Sequence, residues 1–134
     1  RNALGEFASE APSDGRYLSA REDEYILSYE KKCKLITPRD LHLDKPSRTL
    51  TCRNLAGSTA DMIRLKMEDG RRRKIRVKEA SRIQGFPDWF IFNENPSTAF
   101  NEIGQSVPPL FAKKLAESVL NYLEEMHPGG DESD

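Results

Sequence analysis

The sequence is short of cysteine, of long apolar runs and of any excess of charge. Only Cys33 and Cys52 occur in 134 residues, with neither metal-ligand nor redox spacing, which excludes a thiol metal centre or redox pair. Both are expected to be reduced thiols in or near the core. No run of about 18 apolar residues is present and no signal peptide opens the chain, so a soluble, intracellular protein with no membrane role is expected. The formal net charge is only -1.

The length suits one small domain with tails. An apolar fraction of 37% against 32% charged residues is on the polar side, as when polar tails dilute a folded middle. The near-neutral charge conceals a segregation. Between Arg64 and Arg82 nine basic residues stand against Glu68, Asp69 and Glu79, a balance of +6, while both ends are acidic.

Residues 1–20 are small and polar without apolar periodicity, and are expected to be a disordered linker or tag. From Glu22 to Lys34, Tyr25, Ile26 and Tyr29 fit one helical face and Tyr25 and Leu27 one strand face; periodicity leaves both open. Pro38 and Pro46 break the next stretch into extended pieces, of which Thr49 to Cys52 is the clearest strand. A polar loop follows from Arg53 to Asp61. Ile63, Leu65 and Met67 then alternate with Arg64 and Lys66, and Ile75 and Val77 with Lys74 and Arg76, predicting a hairpin with one apolar and one cationic face. Pairing like with like sets Leu65 opposite Ile75 and Ile63 opposite Val77. That asks for an odd loop, most simply Asp69-Gly70-Arg71.

The organising stretch is Arg76 to Gln84 and its continuation Gly85-Phe86-Pro87-Asp88-Trp89-Phe90. It predicts a short helix from near Lys78 and an abrupt stop. Gly85 can take the left-handed cap, Phe86 can fold back on the last turn and Pro87 cannot continue the helix. Arg82 is expected to pair with Glu79 one turn earlier. Asp88 to Phe100 reads as an aromatic, turn-rich connection. A last helix starts around Ser106 or Val107, capped by Ser106, with Pro108 and Pro109 in its first turn. Phe111, Leu115, Val119, Tyr122, Leu123 and Met126 form its apolar stripe. Residues 128–134 are an acidic tail.

RVKEASRIQGFPDWF resembles the ninth motif of the DNA (cytosine-5) methyltransferases, and Ile103-Gly104-Gln105-Ser106-Val107-Pro108-Pro109 is similar to their tenth, Gly-Asn-x-Val-Pro. The resemblance runs from about Leu41 to Tyr122. It implies a target-recognition region with the ninth motif over 21–103, and over 104–127 a tenth motif whose helix packs on a catalytic domain. It also implies a bacterial, cytoplasmic setting. The Pro-Cys nucleophile, the Gly-x-Gly cofactor loop and the Glu-Asn-Val acid of the family do not occur in these residues. Glu94-Asn95-Pro96 is a chance likeness to the last. No catalytic and no metal-binding residue is therefore assigned, and the chain alone is expected to be inactive.

PSRTLTC resembles the segment that leads into a DNA-recognition loop of the family. This makes Thr51, Arg53, Asn54, Gly57, Ser58 and Thr59 candidates for the major groove, where Arg can read guanine and Asn adenine. Arg71, Arg72, Arg73 and Lys74 become phosphate candidates. Gln105, Ser106 and Val107 match the segment lining the S-adenosylmethionine pocket, with Gln in place of the usual Asn. The resulting expectation is an α+β fold: small twisted antiparallel strands, a short helix and a long C-terminal helix. It would be the DNA-recognising and fold-completing part of a restriction-modification methyltransferase, as a small subunit or fragment. Double-stranded DNA and a catalytic chain or domain are its expected partners, with self-association through the last helix when the catalytic part is absent. The alternative is a stand-alone DNA-binding or interaction module.

Overall fold

The computed structural model describes Leu4 and residues 17–33, 40–43, 45–57 and 60–127. Of the assignments above, Ser58, Thr59, the tail from 128 onward and most of residues 1–16 lie outside the described residues. In chain order the elements are α1 (Ala20–Cys33), β1 (Asp40–Leu41), α2 (Cys52–Ala56), β2 (Arg64–Lys66), β3 (Arg72–Lys74), α3 (Val77–Gln84), α4 (Pro96–Gln105) and α5 (Pro109–Met126). The fold is α+β, with helices around a three-stranded mixed sheet and a long C-terminal helix.

The ambiguous stretch after Ala20 is helical. Ser19 and Glu22 form a reciprocal cap: the Glu22 carboxylate accepts from the Ser19 N–H at 2.9 Å, and Ser19 Oγ accepts from the Glu22 N–H at 3.3 Å. Glu22 and Asp23 at its start and Lys31 and Lys32 at its end complement the helix dipole. Only Ile26 is buried on α1, whereas Tyr25 and Leu27 are exposed. Of residues 1–20, expected to be a disordered linker or tag, Ser19 and Ala20 open α1 and three more are held by the fold. Leu4 is buried in the core cluster, Tyr17 bridges Arg73, and the Leu18 N–H donates to the Arg72 carbonyl at 2.9 Å.

β2 and β3 pair antiparallel and β1 joins β2 in parallel. The odd hairpin loop is present, but two residues from the expected register: Leu65 opposes Arg73, and Lys66 opposes Arg72. The loop is Glu68-Asp69-Gly70. It is closed by Gly70 N–H to the Met67 carbonyl at 3.0 Å and Met67 N–H to the Arg71 carbonyl at 2.8 Å, with Gly70 at φ +84°. A shift of two keeps every side chain on its own face, so the apolar pattern could not detect it. What tolerates Arg73 opposite Leu65 is a buried carboxylate, Glu79, on α3.

The cationic face of the hairpin is covered at Arg64 and Arg72. Arg64 is fully buried, with its guanidinium on Glu30 of α1 and on Asp40 of β1 at 2.5 Å. Arg72 bridges Asp23 of α1 at 2.7 Å and Asp40 at 3.0 Å. Burial disfavours the charge of Arg72, but the hydrogen bond to Asp23 and the nearby Asp40 outweigh it and raise its pKa. On the other face Leu41, Leu50, Leu55, Ile63, Leu65, Ile75 and Ala80 form the core with Ile103 of α4.

α3 stops as its sequence predicts. Gly85 has φ +90°, and the Phe86 N–H donates back to the Ser81 carbonyl at 3.0 Å. The Phe86 ring joins Phe90 and Phe92, with centroids 4.9 and 5.0 Å away. Arg82 pairs with Asp88, at 2.6 and 2.5 Å, and not with Glu79, whose carboxylate is committed to Arg73. The Arg82 hydrogen bonds hold the Asp88 carboxyl below its usual range.

Two further expectations change. Thr49 to Cys52 is not a strand. Thr51 is extended (φ -139°, ψ 156°) and caps α2, so the recognition segment opens with a helical turn. The second half of the turn-rich connection is the start of α4, capped by Asn95, whose Oδ1 accepts from the Ser97 N–H at 2.9 Å and the Thr98 N–H at 3.3 Å, with Pro96 in the first turn. Glu94-Asn95-Pro96 is therefore a helix start.

Candidate DNA and cofactor surface

α2 is held by its own cap. The Thr51 N–H donates to Asn54 Oδ1 at 2.9 Å, the Asn54 N–H to Thr51 Oγ1 at 3.4 Å, and Asn54 Nδ2 to the Thr49 carbonyl at 2.9 Å. Asn54 is 3% exposed, and both ends of its amide bond the backbone. It is a capping residue. Arg53, next to it, is open: its side chain is 80% exposed, with Asp61 4.0 Å away. Thr51 is exposed as well, and Gly57 is half-buried, its N–H on the Arg53 carbonyl at 3.2 Å.

The basic run separates in the same way. Arg73 is buried, bidentate to Glu79 at 2.9 and 2.7 Å, and Arg72 faces the acids of α1 and β1. Both guanidiniums are paired with carboxylates of this chain. The charges were segregated in sequence but neutralised in space, since opposite charges leave water together at far lower cost than one alone. Arg71 stays at the surface, on Asp69 at 2.7 Å and over the Tyr17 ring at 4.0 Å. Its backbone N–H and side chain together hold the Asp69 carboxyl below its usual range. Lys74 is half-buried and Lys66 and Lys78 are exposed.

Gln105 ends α4, Ser106 is its C-cap and Val107 lies beyond, before α5 begins at Pro109. Ser106 does not cap α5 as the sequence suggested: its N–H and Oγ both donate to the Ile103 carbonyl, at 3.3 and 2.7 Å. The free N–H groups of the last helix belong to its own first turn, which starts two residues beyond Val107. Gln105 and Val107 are exposed, and Ser106 borders a groove lined by Phe86, Phe90, Phe92 and Glu102. Among the described residues no cluster of three His, Cys, Asp or Glu could hold a metal ion. Cys33 is exposed and Cys52 half-buried, its thiol 3.6 Å from the Asn101 carbonyl.

These two regions meet through α4. A Cβ on Gly104 would lie 2.3 Å from the Cys52 N and 2.7 Å from the Thr51 carbonyl carbon, so the backbone of the tenth-motif segment rests directly on the start of α2. From α3, Gln84 reaches the other side of the same segment, its amide on the Ser106 carbonyl at 2.9 Å. The sequence reading missed Gln84, Gly104 and α4. The signal for α4 was legible in Asn95-Pro96; a close approach between segments about fifty residues apart was not.

A family model described as C-5 cytosine-specific DNA methylase matches residues 9–121, a stretch that contains both regions. The chain belongs to this family. It is 50% identical over 123 residues to the Type II methyltransferase M.AplI of Arthrospira platensis, covering 92% of this chain and 36% of the relative. With the Type II methyltransferase M.Eco47II of Escherichia coli the identity is 32% over 127 residues, 91% of this chain and 29% of the relative. With M.XorII of Xanthomonas oryzae it is 41% over 51 residues, 38% of this chain and 12% of the relative. The chain thus spans about a third or less of the length of these curated relatives. The family match gives α5 a context. None of its residues is buried, and Leu110, Phe111, Leu115, Val119, Leu120, Tyr122, Leu123 and Met126 all lie between 49% and 70% exposed. Among the described residues no helix is long and apolar enough to cross a membrane.

Proposed function

We propose that the chain is the DNA-recognising and fold-completing part of a bacterial, cytoplasmic restriction-modification cytosine-5 methyltransferase. In this reading it works with a catalytic part that covers α5. The observation that carries this is α5 itself: eighteen residues with a continuous apolar stripe and no residue buried. Burying Phe111, Leu115, Val119 and Leu123 would contribute roughly 1.5 to 3 kcal/mol each, so leaving them in water is a large cost that a covering domain removes. The test is tritium transfer from labelled S-adenosylmethionine to DNA with this chain, a catalytic part bearing Pro-Cys and Glu-Asn-Val, or both. Activity is expected only from the mixture, and activity from this chain alone would overturn the proposal.

Within that reading, the segment that begins at Thr51 contacts double-stranded DNA, with Ser58 and Thr59 kept as candidates from the sequence. Arg53 is its reader, Arg71 and Lys74 are the phosphate contacts, and Asn54 shapes the turn that presents Arg53. Arg53→Ala is expected to reduce discrimination between the target and a one-base variant by on the order of 1 to 3 kcal/mol. Arg71→Ala should weaken all sequences alike and lower the salt slope by about one. Fluorescence-anisotropy titrations at several salt concentrations separate the two, and an equal loss at every site in Arg53→Ala would remove the loop as reader.

The residues from Gln105 to Val107 fit one side of an S-adenosylmethionine site. Gln105 and Val107 are exposed, Ser106 borders an aromatic groove, and the remaining walls would come from the catalytic part. When bound, the cofactor supplies the methyl group. The residues of this chain bind and orient it.

A further inference from the structure

We infer that Gln84 is a positioning residue for cofactor binding: its side-chain amide fixes the orientation of the Ser106–Val107 peptide. The inference rests on the reading that Gln105 to Val107 face the cofactor. Gln84 is the last residue of α3 and only 9% exposed. Its Nε2 donates to the Ser106 carbonyl at 2.9 Å, with the Ile103 carbonyl at 3.3 Å and Ser106 Oγ at 3.4 Å.

The two carbonyls differ in what else holds them. That of Ile103 also receives the Ser106 N–H and Ser106 Oγ, so it stays satisfied without Gln84. The Ser106 carbonyl lies past the end of α4, where no helical partner reaches it, and Gln84 supplies its donor. In a planar trans peptide the C=O and the following N–H point in opposite directions. Holding the Ser106 carbonyl toward α3 therefore turns the Val107 N–H away from α3. Val107 precedes two prolines, Pro108 and Pro109, which have no N–H, so Val107 carries the last backbone donor before Leu110. Gln84 thus decides where that donor points, and an acceptor on the cofactor is the group such a donor would recognise. α3 itself is pinned by the left-handed Gly85 behind it and by the buried Glu79 ahead, so Gln84 is a rigid prop.

The test uses the complete enzyme, or this chain reconstituted with its catalytic part. Gln84→Met keeps the length and shape of the side chain and removes the donor. We expect its dissociation constant and KM for S-adenosylmethionine to rise about 5- to 30-fold, the effect of one lost hydrogen bond to a buried group. At saturating cofactor kcat and DNA affinity should stay within about twofold, and amide exchange at Val107 should quicken. Gln84→Glu sets a carboxylate against the same carbonyl and should be worse near neutral pH. Its affinity should recover on acidification, because a protonated carboxyl donates again; a purely packing role would show no such recovery. Equal losses of cofactor affinity, DNA affinity and thermal stability in both variants would overturn the inference. If neither variant changes cofactor affinity while Ser106→Pro weakens it, Gln84 is not the prop and the cofactor reading stands. If Ser106→Pro is also silent, the cofactor reading fails, and the inference with it.

Discussion

Glu79→Ala is expected to cost about 3 to 5 kcal/mol of folding stability, because it removes the buried carboxylate that holds the Arg73 guanidinium in the core through two hydrogen bonds. Arg73 and Glu79 are both 0% exposed. The Glu79 carboxylate does two further things: it accepts from the Arg76 N–H at 2.8 Å, closing the first turn of α3, and it lies 3.5 Å from the Arg76 guanidinium. One side chain therefore joins β3 to α3 and caps the helix. Small domains are stable by about 5 to 15 kcal/mol, so the loss removes a large share, and urea denaturation should show it as a fall in midpoint. Glu79→Gln, which keeps the shape but turns an NH2 toward a donor, should fall between the two. The double variant Arg73→Met, Glu79→Leu should recover most of the loss, since replacing a buried pair by apolar groups is near neutral. A Glu79→Ala protein as stable as the parent would show that Arg73 finds water, and that the pair does not hold β3 to α3.

Gly104→Ala should destabilise by about 2 kcal/mol or more despite improving helix propensity. In an exposed helix interior, alanine gains up to about 1 kcal/mol over glycine. Here the added methyl meets backbone: 2.3 Å to the Cys52 N, 2.7 Å to the Thr51 carbonyl carbon and 2.8 Å to the Cys52 Cα. None of those atoms can rotate away, so α4 must move from α2, and overpacking of this kind typically costs about 1 to 3 kcal/mol. The Cys52 thiol sits 3.6 Å from the Asn101 carbonyl across the same contact. Its rate of modification by a thiol reagent should rise in the variant and report the separation directly. Greater stability, with Cys52 no more reactive, would mean the two helices part freely. Because Gly104 precedes Gln105, the same variant should weaken both DNA and cofactor binding, whereas Gln84→Met spares DNA.

Much of the local structure was legible. Gly85-Phe86-Pro87 gave the stop of α3, because a left-handed cap followed by proline leaves the backbone few choices. An odd loop around Gly70 followed from the parity of the hairpin, although the loop lies one residue earlier than expected. The stripe of α5 was visible in its period, and so was its need for a covering surface. Ser19 and Glu22, and Asn95 with Pro96, carried cap signals that would have resolved α1 and revealed α4.

Sequence by itself determined the family motifs, the α+β class and the face on which each hairpin residue lies, because local backbone preference and side-chain period act within a few residues. Only the tertiary structure decided which charges are available. Arg64, Arg72 and Arg73 read as one cationic patch until Glu30, Asp40 and Glu79, from three other elements, are set against them. The hairpin register was also left open, since a slip of two residues leaves the apolar pattern unchanged; Arg73 points inward in either register, and the buried Glu79 carboxylate makes it tolerable. The contact of Gly104 with Cys52 and the reach of Gln84 to Ser106 were likewise decided in three dimensions. Each joins residues some twenty to fifty positions apart, and burial and hydrogen bonding act through distance in space, to which periodicity along the chain is blind.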